Sequence, residues 1–125
     1  MTPLIYIAGP YTAKDRWETE QNVRRAEDAA YRVMKLGGWP VVPHSNTRPY
    51  FEDACTYEQA LAGTMRMMVR SDAALFISGW TDSRGARAEH AEAERLGLPI
   101  FGIGHIDSGD LGAWIEAFIR DRANP

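Results

Sequence analysis

The sequence predicts an α/β protein built on a parallel sheet, and three observations carry the prediction. Short apolar, β-branched runs alternate with longer amphipathic stretches along the whole chain. Residues 73–102 read strand, loop, helix, strand, with Ser83 as a helix N-cap and Gly97 and Pro99 as its stop. Such a unit joins parallel strands and opens a ligand crevice at their C-terminal ends. The 125 residues suffice for one domain with a proper core, and no linker, repeat or low-complexity segment divides residues 1–125.

Taken in order, Pro3–Ala8 (PLIYIA) is the first strand, central and buried on both faces, with Tyr6 its one polar handle. The Tyr6 hydroxyl reads either as that of a core aromatic or as a group aimed at whatever lies above the sheet. Gly9-Pro10-Tyr11-Thr12 forms the first loop, on the crevice side. Thr19 to Leu36 is a helix, because Val23, Ala26, Ala30 and Val33 recur at three- and four-residue steps. Gly37-Gly38 ends it, and Trp39–Val42 is the second strand of a right-handed crossover. His44–Cys55 is a polar and aromatic loop in which His44, Asn46, Arg48, Tyr50 and Phe51 suit a flat heterocycle; His44 could equally cap the next element. Thr56–Arg70 is the second long helix, whose Met65, Met67 and Met68 fill core or meet another subunit. Asp72 caps the turn into strand Ala73–Ile77. Strand Ile100–Ile103, loop Gly104–Ser108 and helix Asp110–Arg122 close the chain, the helix docking through Trp114, Ile115 and Phe118.

The candidate functional centre is Ser78–Pro99. Exposed amides at its helix start attract anions. Glu89 lies about two turns into that helix, and a helical side chain leans back toward the N-terminus, where the crevice is. Gly85, Ala86 and Ala88 are small enough for a ligand to approach the backbone. On spacing alone the ordinary reading is that Glu89, like Glu92 and Glu94, is one of several solvated acids.

Bulk properties exclude several classes. A net charge of −3 does not suit a nucleic-acid polymer as partner. No apolar run approaches the roughly 20 residues of a membrane span, and MTPLIYIAGP lacks the basic leader of a signal peptide. Cys55 is the only cysteine, which rules out an internal disulfide and fits a reducing cytoplasm. His44, His90 and His105 lack metal-binding spacing.

With these residues in hand, the chain resembles the nucleoside 2-deoxyribosyltransferase family, in particular its small phage and bacterial branch. The matching pieces are IYIAGPYT at residues 5–12, the Ser71-Asp72 strand entry, and GWTDSRGARAEHAEAERLGLPI at residues 79–100. The resemblance implies a flavodoxin-like (Rossmann-like), doubly wound parallel sheet of four to five strands with helices on both faces. It implies a homodimer or larger homo-oligomer with sites near subunit interfaces. It also implies cleavage of N-glycosidic bonds in a small nucleoside or nucleotide, without metal or cofactor. Glu89 stands where the family's glutamate attacks the anomeric carbon, and Tyr6 matches the first-strand tyrosine that hydrogen-bonds it. Gly9, Pro10, His44, Asn46, Ser83, Arg84 and Gly85 are the expected substrate-binding residues.

Two departures refine the expectation. Ser83 replaces the aspartate of transferases acting on free nucleosides, while similar hydrolases of nucleoside 5′-monophosphates carry serine there. A hydroxyl, free helix amides and Arg84 favour a phosphate. Thr64 stands where relatives often have an aspartate that contacts the base, which leaves Asp53, Glu58 or His44 as candidates to protonate the leaving base, or water to help it leave. The rival class is a non-catalytic module on the same fold that senses a nucleotide or nucleotide-sugar.

Overall fold

The computed structural model describes residues 1–46 and 53–123. In chain order the elements are β1 (Leu4–Ala8), α1 (Arg16–Lys35), β2 (Trp39–Val41), α2 (Pro43–Asn46) and α3 (Tyr57–Val69). They continue with β3 (Ala73–Phe76), a 3₁₀ turn (Trp80–Asp82), α4 (Arg84–Leu96), β4 (Ile100–Gly102), α5 (Ile103–Asp107) and α6 (Asp110–Ala123). The four strands are all parallel in the order β2-β1-β3-β4, so the fold is α/β and flavodoxin-like. The chain leaves β1 toward β2 on one side and returns to β3 on the other, which puts the topological switch point between β1 and β3.

The period-two alternation of β1 and β3 sorts their side chains onto two faces. Ile5, Ile7, Ala73, Leu75 and Ile77 pack with Ala26, Ala30 and Val33 of α1 and Leu111 and Ile115 of α6. Tyr6, Ala8, Ala74 and Phe76 turn the other way, against Met68 of α3 and Ala93 of α4. Each fully buried aliphatic side chain contributes roughly 1.5–3 kcal/mol. The sheet is therefore covered on both sides, as its near-continuous apolar strands require. Asp72 ties the strand entries together: its carboxylate accepts from Leu4 N at 2.8 Å and its own amide donates to Leu4 O at 2.8 Å.

Helix boundaries follow their caps. Ser83 accepts from Ala86 N at 3.2 Å to open α4, and Gly97, at φ 70°, closes it in the left-handed conformation expected of that glycine. Thr56 and Gln59 form a reciprocal capping box at the start of α3. Three expectations change, the first being that His44–Asn46, expected at the start of a loop, lie in the short helix α2. Helix α1 begins at Arg16 rather than Thr19, because Asp15 caps it through Glu18 N at 2.8 Å, and its exposed first turn adds nothing to the apolar periodicity. Of the residues expected to form a loop at 104–108, 104–107 fall within α5 and Ser108 caps its end, and Gly102 N donates to His105 Nδ1 at 2.8 Å. Of the methionines, Met68 is in the core with Met65 and Met67 packed against it, and Trp114 packs within the chain at tilted ring angles against Phe101 and Phe118.

Candidate active site

The face of the sheet that carries Tyr6 opens into a cavity of about 600 Å³ beside the C-terminal end of β1. β1 contributes Tyr6, and the loop after it contributes Gly9, Tyr11 and Thr12. His44 comes from α2, and Tyr57, Ala60, Leu61 and Thr64 form one stripe of α3. The start of α4 supplies Ser83, Arg84, Gly85 and Ala86, with Glu89 one turn deeper.

Glu89 is only 6% exposed, and its Oε2 accepts a short hydrogen bond from the hydroxyl of Tyr6, which is fully buried. Burial raises the Glu89 carboxyl from its ordinary range to about 7, while hydrogen bonds from Tyr6 and Thr64 hold it from rising further. The Tyr6 phenol is pushed far above its usual range, first by burial and then by the Glu89 charge, so it stays a donor at any ordinary pH. The pair is thus a desolvated carboxylate steered by a fixed hydroxyl, sitting on a cavity floor. The spacing of acids along α4 favoured a solvated Glu89; the tertiary structure puts it inside, because α4 turns Ala86, Glu89 and Ala93 toward the sheet.

His44 is buried, and its Nε2 faces the carbonyl oxygens of Pro10 at 2.9 Å and Gly9 at 3.2 Å. Carbonyls only accept, so Nε2 carries the proton. Nδ1 is buried with no hydrogen-bond partner among the described residues, and a proton there would be an unmet donor. Burial lowers the His44 pKa, which favours the neutral imidazole. His44 pins the loop after β1. Asn22 holds the same loop from α1, its amide donating to Tyr11 O at 3.0 Å, and Thr19 accepts from Ala13 N at 3.0 Å. Gly9 is required at its position by packing, since a Cβ there would stand 2.3 Å from the buried Ile77 side chain.

Of the residues expected from sequence, Tyr6, Gly9, His44, Ser83, Arg84, Gly85 and Glu89 line the one cavity. Pro10 contributes its carbonyl to His44 but not its side chain to the wall, and Asn46 lies exposed at the end of α2, outside it. Asp53 and Glu58, considered as proton donors, are exposed and off the wall. Arg48, Tyr50 and Phe51 lie outside the described residues. Sequence reasoning missed Tyr57, whose ring lies under the Arg84 guanidinium at 5.2 Å. Extending the α3 stripe outward from Met68 through Thr64 and Leu61 at three- and four-residue steps leads to it. Among the described residues no group of His, Cys, Asp and Glu could hold a metal ion, and no helix is long and apolar enough to cross a membrane.

Fold and site define a class: a doubly wound parallel α/β domain whose cavity, next to the switch point, encloses a buried carboxylate clamped by a tyrosine. Over residues 3–103 the sequence matches the family described as domain of unknown function (DUF7768), and the chain belongs to that family. No curated protein matches it in sequence. Among solved structures its fold is similar to that of a 2-deoxyribosyltransferase from the psychrotolerant bacterium Bacillus psychrosaccharolyticus. The TM-score is 0.57 at 22% identity, covering 79% of this chain and 70% of that one. At that identity the likeness is one of fold.

Proposed function

We propose that the protein cleaves the N-glycosidic bond of a (deoxy)nucleoside 5′-monophosphate or (deoxy)nucleoside, with Glu89 as nucleophile. The observation that carries this reading is the buried Tyr6–Glu89 pair on the floor of the cavity. The likeness in fold to a 2-deoxyribosyltransferase supports it. Cleaving a glycosidic bond builds positive charge on the sugar, and a dry carboxylate is the group to stabilise it. A Glu89 oxygen bonds to C1′ while the C1′–N pair leaves with the base. Water or a second base then attacks C1′ and releases the carboxylate. Tyr6 holds the attacking group in one rotamer throughout. Metal and cofactor play no part in this sequence of steps.

The start of α4 is the place for the 5′ group. The Ser83 oxygen accepts from Ala86 N, which leaves its own proton to donate, and first-turn amides have no partner within the helix. Arg84 adds positive charge at the cavity wall. A 5′-phosphate meets all three. The test is base release, followed by chromatography, from a panel of deoxynucleosides, ribonucleosides and their monophosphates. Wild type releases base from at least one of them, and Glu89→Gln and Glu89→Ala lose turnover by on the order of a thousandfold or more. Undiminished turnover in those variants removes the mechanism. One feature favours a second reading, a nucleotide-sensing module: Thr64, a hydroxyl, stands where the resemblance to nucleoside 2-deoxyribosyltransferases implies an acid beside the base. Tight nucleotide binding with no base released over hours would establish that reading instead.

A further inference from the structure

Thr64 is the one polar side chain that α3 delivers to the depth of the Tyr6–Glu89 pair. It lies between Leu61, on the cavity wall, and Met68, fully buried in the core, on the stripe of α3 that faces the sheet. Its Oγ donates to the Leu61 carbonyl at 3.2 Å, a long bond of the back-bonding kind common for threonine inside helices. Thr64 lines the cavity together with Tyr6 and Glu89, and its hydroxyl lowers the pKa of each. The proton bonded to the Leu61 carbonyl thus has a phenol oxygen and a carboxylate beside it in the same cavity as alternative acceptors. Rotation about the C–O bond is all that moves it between them. A helix carbonyl already bonded along the helix loses little when that proton leaves, whereas a buried carboxylate gains a charge-assisted donor.

We propose that Thr64 is a positioning residue for Glu89: its hydroxyl turns from the Leu61 carbonyl to the carboxylate when Glu89 ionises, so that two hydroxyls, from β1 and α3, hold the ionised form. The proposal rests on the reading of Glu89 as nucleophile, which must be ionised to attack. Tyr6 is a permanent donor, and Thr64 is the donor that follows the charge. When a glycosyl ester forms at Glu89 the negative charge disappears, and the Thr64 proton returns to Leu61. When the ester is cleaved the proton turns back and stabilises the departing carboxylate. Thr64 thus sets how much of the protein carries a competent nucleophile at neutral pH.

The experiment compares Thr64→Val, which keeps shape and removes the hydroxyl, with Thr64→Ser, which keeps the hydroxyl. The Glu89 carboxyl is titrated by NMR on protein labelled with ¹³C at the glutamate side-chain carboxyl carbon, with Glu89→Gln assigning its resonance. The Glu89 midpoint rises by about one pH unit in Thr64→Val and returns to within a few tenths of wild type in Thr64→Ser. The acid limb of base release moves by the same amount, with a smaller change on the plateau above both midpoints. A Glu89 midpoint in Thr64→Val equal to that of wild type overturns the proposal. Thr64→Ala provides the same reading if the valine variant does not fold. A shifted midpoint in a protein that releases no base from any substrate, wild type included, leaves the Thr64–Glu89 coupling standing and removes the glycosidase reading.

Discussion

The two faces of the sheet use the same strands for opposite ends. On the α1/α6 face Ile5, Ile7, Leu75 and Ile77 pack into an apolar layer with α1 and α6, closed except at its rim, where Ile77 borders a smaller polar-lined pocket. On the α3/α4 face the alternate residues are Tyr6, Ala8, Ala74 and Phe76, and the layer stops short, leaving a cavity with a tyrosine and a glutamate at its base. The closed face gains stability from every group it buries. The open face buries a carboxyl whose ionisation opposes folding. Stability and chemistry are thus divided between side chains one residue apart on one strand.

The comparison can be broken most forcefully from the closed face. Leu75→Ala should destabilise the protein by about 2–5 kcal/mol in urea unfolding. Base release per folded molecule should stay unchanged, because Leu75 points away from the cavity. A loss of turnover in the folded fraction would show that the faces are not independent.

The next effect comes from the open face. Burial pushes the Glu89 carboxyl up to about 7, from 4.5 for a free glutamate. A raised carboxyl pKa gives a stability contribution that is full below 4.5 and is lost as pH rises through about 7. The difference is at most about 3 kcal/mol. Glu89→Gln should therefore raise Tm by several degrees at pH 8 and by little at pH 4.5, as thermal unfolding would report. The activity of the wild type has the opposite slope, rising through about pH 7 to a plateau as the nucleophile ionises.

Tyr6→Phe sharpens the contrast further. It deletes the hydroxyl that lowers the Glu89 pKa, so the acid limb of the rate profile should move upward. Turnover at pH 7 should fall about ten- to a hundredfold, with a stability change that shrinks as Glu89 becomes protonated. The smallest expected effect is that of Ser83→Ala. Loss of the α4 cap should cost about 1 kcal/mol of stability. KM should rise more for a monophosphate than for its parent nucleoside, and equal changes for the two would place the 5′ group elsewhere.

Much of the frame was legible in the chain because its signals are local. Ser83, Gly97 and Pro99 mark α4 through backbone rules that involve only their neighbours, and the structure places its ends at those caps. The apolar run at β1 likewise declared a buried central strand. Tyr6 and Glu89 were nameable as candidates through resemblance, whereas the pattern of acids on α4 pointed toward solvent. Tyr57 went unremarked because its neighbours in the cavity come from other elements, and Thr64 was visible only as a departure from the pattern of the family the sequence resembles.

The sequence by itself determined the alternation of strand and helix, the caps of α3 and α4, and the split of β1 and β3 into two faces, since each depends on residues a few positions apart. Only the tertiary structure decided that Glu89 is dry. Tyr6 and Glu89 are 83 residues apart, and Thr64 reaches them from a third element. Their meeting is fixed by strand order and by the rotation of two helices on the sheet, and a carboxyl's ionisation follows from what surrounds it in space rather than from what precedes it in the chain.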